Sequence, residues 1–239
     1  MSVGIGQGMI GMERMGQVLT LGVGTEIMYS FIIILCSLMI YFGTKELYEL
    51  SSYKGLKYFR QAFLFFAIAY FFRSLIKFIL IYSNLREIFE FSPKFFGMMA
   101  GPITLFIFMY FSSMAIFYIL YSANYKSMKE RKYNLYFFHT ISFIIALFTV
   151  VFRNPFVYLG INVLLLLITV FTIYISSKEK KGKHSLYKIY LLLSLFWVLN
   201  IIDILIPGFF DIGQILIYLI SSGIFFTILY KVLKKVGSK

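Results

Sequence analysis

Charge is what this sequence most lacks. Only 14% of its 239 residues are Asp, Glu, Lys or Arg, and just ten are acidic. A single cysteine, Cys36, excludes an intramolecular disulfide framework. Two histidines, His139 and His184, with no acidic pair beside either, argue against a metal site. No motif calls for a cofactor, and none is expected. The chain does not open on a basic region followed by a short apolar run and a cleavage site, so a removable signal peptide is not expected.

Apolar side chains are what remain. Sixty per cent of the residues are hydrophobic and 21% aromatic, with a mean hydropathy of +0.85, far outside the mix of a soluble domain. A hydrocarbon core of about 30 Å takes roughly 20 apolar residues per spanning helix. The sequence meets that length seven times, at about 22–44, 59–82, 95–121, 133–152, 156–177, 186–207 and 212–231. These runs lack the alternation of barrel strands. The expected fold is therefore an all-α, seven-transmembrane-helix bundle, with a glycine-rich segment over 1–21 and a basic tail over 232–239.

The net charge of +13 follows the loops. Seventeen basic residues fall in the first, third and fifth loops and the tail, against three (Arg86, Lys94 and Arg153) in the opposite loops. The excess of positive charge on the cytoplasmic side places the N-terminus outside and the C-terminus inside, which requires an odd number of spans. The expected setting is the cell membrane, with the anionic cytoplasmic leaflet as partner. A nucleic-acid surface would gather these charges on one face, and no such partner is expected.

Two polar features remain. Gly6, Gly8 and Gly11 match G-x-G-x-x-G but lack the strand and helix that give the motif its phosphate chemistry. A flexible tail, with Met9 to Leu19 as a short helix on the membrane surface, is the better expectation. The stretch "AYFFRSLIKFIL" places Arg73 and Lys77 inside the second span. Arg73 lies roughly 21 Å from the cytoplasmic start of that helix. Asp203 of the sixth span, Glu26 and Asp211 fall at the same outer level. Lys77, Glu26 and Asp211 are near enough to the interface to snorkel. Arg73 and Asp203 are deeper, where charges pair inside the bundle or form a ligand site. "WVLNIID" aligns Trp197, Asn200 and Asp203 on one helix face, a candidate pocket wall. The candidate site is thus Arg73, Lys77, Trp197, Asn200 and Asp203. Asn162 is expected to hydrogen-bond across helices, and His139 to face solvent or headgroups.

Known seven-span families differ from this chain at particular residues. A retinal protein needs a lysine in the seventh span, and "IGQILIYLISSGIFFTILY" has none. PQ-loop transporters are similar in topology, but their prolines are missing from the first span, and Pro155 only precedes the fifth. In topology and composition the chain is similar to the membrane input modules that precede kinases in microbial sensors. That similarity implies a receptor- or sensor-like module read by a separate cytoplasmic partner; the alternative is a small transporter or lipid-handling protein. No carboxylate-rich or histidine-containing cluster on the cytoplasmic side supports enzymatic chemistry.

Overall fold

The computed structural model describes the backbone over 4–84, 93–125, 132–152, 154–178, 186–205 and 211–237, and side chains over 24–76, 101–125, 134–152, 154–177, 186–205 and 212–234. Every regular element among these residues is a helix: α1 (Gly4–Gly43), α2 (Lys45–Ser51), α3 (Lys54–Asn84), α4 (Pro93–Ala123), α5 (Lys132–Phe152), α6 (Pro155–Lys178), α7 (Tyr187–Leu205) and α8 (Asp211–Gly237). All but α2 contain a segment long and apolar enough to cross a membrane. The helix of α1 extends back through the glycine-rich segment to Gly4, where a flexible tail with a short surface helix was expected. Glycine costs a helix about 1 kcal/mol per residue, but the apolar span supplies the nucleus and leaves only propagation.

Six spanning helices close a ring. α1 packs on α3 and α8, α3 on α4, α4 on α6, α6 on α7, and α7 on α8, while α5 packs chiefly on α4 and stands outside. Short connections make sequence neighbours antiparallel, so the start of the α1 span, the ends of α3 and α7, and the start of α8 share one end of the bundle. This is the charged end. At the opposite end α2 terminates at Ser52 in the left-handed conformation (φ 49°). There Arg60 of α3 donates from Nε to the Tyr41 carbonyl at 3.1 Å, satisfying one of the orphan acceptors at the end of α1.

The middle of the ring is filled by aromatic rings. Phe59, Phe63 and Phe66 of α3 meet Phe196 of α7 and Phe225 of α8, all buried, with centroids of touching pairs 4.6 to 6.4 Å apart. Toward the opposite end Tyr58, Tyr121 and Tyr125 pack edge to face. Several hydroxyls inside the spans are absorbed locally: Ser113, Thr149 and Thr172 each donate to the carbonyl four residues back. Side chains such as Phe148 of α5 and Leu167 of α6 point away from the bundle.

Candidate functional site

Three helices bring polar residues to the charged end with the same spacing. Glu26 and Tyr29 on α1, Tyr70 and Arg73 on α3, and Trp197, Asn200 and Asp203 on α7 lie three residues apart, which puts each set on one helix face. The three faces converge on Arg73. Its Nη2 donates to Asp203 Oδ2 at 2.9 Å, its Nη1 to Asn200 Oδ1 at 3.0 Å, and its Nε to Glu26 Oε1 at 3.3 Å. Its guanidinium carbon lies 5.7 Å from the Tyr29 ring centre and 5.6 Å from that of Tyr70, within cation–π range. The planar fork of arginine suits this task, since it engages partners on two helices at once.

The layer is well shielded: the side chains of Arg73, Asp203 and Glu26 are 15, 10 and 6% exposed. Asn200 is fixed from both sides. Its Oδ1 also accepts from the Tyr70 hydroxyl at 3.0 Å, and its Nδ2 donates to the Phe196 carbonyl at 2.9 Å. The Tyr70 proton is committed to Asn200, so the Tyr29 hydroxyl, 3.2 Å from that of Tyr70, donates to it. A chain of hydrogen bonds therefore runs from α1 through α3 to α7. Such a network is rigid when complete, and opening any link leaves a buried polar group exposed to low dielectric.

Of the five candidate residues, Arg73, Asn200 and Asp203 meet directly. Trp197 is on the same face of α7 but turns to α6, donating from Nε1 to the Asn162 carbonyl at 3.1 Å. Asn162 thus does link helices, but through its backbone: its own Nδ2 donates to Tyr158 within α6. The side chains of Lys77 and Asp211 lie outside the described residues. Glu26, expected to snorkel, is instead turned inward onto Arg73. Tyr29 and Tyr70 were missed; their signal was the three-residue spacing from Glu26 and Arg73. His139, partly exposed, shares a hydrogen bond at Nδ1 with the Tyr110 hydroxyl, 2.7 Å away.

Two spaces adjoin the layer. A cavity of about 10 Å³ touches Arg73, Tyr158, Trp197 and Asn200, room for about one water. The second is a groove of about 770 Å³ on the side of the bundle between α1 and α8, with Tyr29 and Tyr218 in its wall. Among the described residues, no three His, Cys, Asp or Glu side chains gather to hold a metal. The arrangement can hold helices together, and it can respond when a neighbouring group moves.

Seven apolar helices, three of them joined by a buried charged cluster, point to a multi-pass membrane protein. The chain belongs to the same family as an uncharacterized protein of Archaeoglobus fulgidus, with which it is 30% identical over 226 residues, spanning 89% of this chain and 93% of the relative. No described family model matches the chain. No solved structure matches it either.

Proposed function

We propose that the protein is a receptor- or sensor-like binding module of the cell membrane, with its N-terminus outside and its C-terminus in the cytoplasm, signalling through a separate cytoplasmic partner. One observation carries this reading: a single buried arginine ties α1, α3 and α7 together beside a large lateral groove. A bundle clamped at one point has two arrangements, clamp closed and clamp open, and a ligand that favours one shifts the population. The orientation is supported by the 17-to-3 split of basic loop residues. A reporter active only in the cytoplasm should work when fused after Lys239 and fail when inserted at Gly208; activity at both places rejects this topology.

The second reading is a small transporter or lipid-handling protein, and the groove favours it because it opens sideways from the bundle. Against transport stands the aromatic core: Phe63, Phe66, Phe196 and Phe225 are buried and pack together beyond the charged layer. In liposomes, solute accumulation abolished by Asp203→Asn would make transport the better account.

A further inference from the structure

α1 and α8 are pressed together at one end and part at the other. At Gly43 an added Cβ would come within 3.0 Å of Leu233 Cδ2, whereas at Gly24 and Gly223 it would meet no atom within 4 Å. The result is a tapering groove of about 770 Å³, within the size range of small-molecule sites. Among the described residues, no Lys, Arg, Asp or Glu lines it. Exposed Met28, Leu219 and Phe226 form its lips, continuous with the apolar outer surface of the bundle. Thr25 of α1 and Ser222 of α8 supply one hydroxyl to each wall. Walls without ionic groups, opening sideways among apolar side chains, complement a hydrocarbon chain and reject a charged solute. The close approach of α1 and α8 at Gly43 and Leu233 ends the groove on that side.

The back wall connects this groove to the charged layer. The Tyr29 and Tyr218 rings stack there, 4.6 Å apart and 12° from parallel. Tyr29 belongs to both systems, because its ring lines the groove while its hydroxyl begins the chain through Tyr70 and Asn200 to Arg73. We propose that the groove between α1 and α8 binds the hydrocarbon chain of a single-chain amphiphile, and that Tyr29 couples its occupancy to the Arg73 clamp. This rests on the receptor-like reading and names its ligand class. A chain seated against the stacked tyrosines alters the position of Tyr29, and with it the bond that helps hold Asn200 on Arg73.

The test uses the whole protein in phosphatidylcholine vesicles with a diazirine-bearing fatty acid as probe. Photolabelling should concentrate on Met28, Leu219 and Phe226 and be competed by unlabelled fatty acid but not by added diacyl lipid. The Gly24→Leu/Gly223→Leu double variant, whose side chains enter open space, should keep its helix content and lose labelling roughly tenfold, the effect of displacing about two methylenes. Fatty acid should also shift the emission of Trp197, the chain's one tryptophan, which sits one turn from Asn200. Tyr29→Phe should retain labelling and lose that shift. Label spread evenly over outward residues such as Phe148 and Leu167, and indifferent to the two leucines, would mean ordinary surrounding lipid and overturn the site. An undiminished emission shift in Tyr29→Phe would overturn the coupling. Specific groove labelling without any change in engagement of a cytoplasmic partner would reject the receptor reading and leave the groove assignment standing.

Discussion

The charged end and the aromatic middle of this bundle are held together by different physics. Around Arg73, stability comes from a few directional contacts between named atoms, each dependent on the others. Among Phe59, Phe63, Phe66, Phe196 and Phe225 it comes from many weak contacts with no required partner. The first kind fails abruptly when one member is lost, because a buried carboxylate cannot find water. The second fails gradually, because neighbours and lipid can partly close the gap. A switch belongs in the first region and a scaffold in the second.

The largest effect should come from Arg73→Ala, which strands Glu26 and Asp203 in low dielectric and should cost about 3–5 kcal/mol of stability. Reversible unfolding in detergent would measure it. The double variant with Asp203→Ala should cost less than the sum of the singles by roughly 0.5–3 kcal/mol, and strict additivity would show that the ion pair does not form in the membrane. Phe196→Ala should come next, at about 3 kcal/mol, and adding Arg60→Gln at the other end should simply sum with it. Trp197→Phe keeps most of the ring and loses the bond to the Asn162 carbonyl, about 1 kcal/mol by the same unfolding measurement. Thr227→Ala, which removes only a back-bond to the Gly223 carbonyl on an exposed face, should stay within about 0.5 kcal/mol of the parent. If Thr227→Ala proved as costly as Trp197→Phe, the distinction between bonds across helices and bonds within one would fail.

Depth along a helix could be counted from the sequence, and it put Arg73, Asp203 and Glu26 at one level before any packing was known. Rotation about the helix axis could not. Glu26 near an interface is equally able to reach outward, and only the position of α3 beside α1 turns it onto Arg73. Tyr70 and Tyr29 are two of 19 tyrosines, and nothing in their composition separates them from those that merely fill space. The same limit explains Asn162, whose amide was expected to cross between helices and whose carbonyl is the group that does. The α1/α8 groove was not legible at all, since it depends on the first and last described helices being adjacent and splayed.

The sequence by itself determined the membrane-spanning segments and their number, because lipid leaves a backbone few other ways to satisfy its hydrogen bonds and a bilayer fixes how long each must be. It also determined that any charge deep in a span would need a partner. Which partner was left to the tertiary structure. Every spanning helix is apolar on most sides, so hydropathy carries little information about which face meets which neighbour. Order around the ring is set by side-chain fit, and that fit places one arginine where α1, α3 and α7 can all reach it.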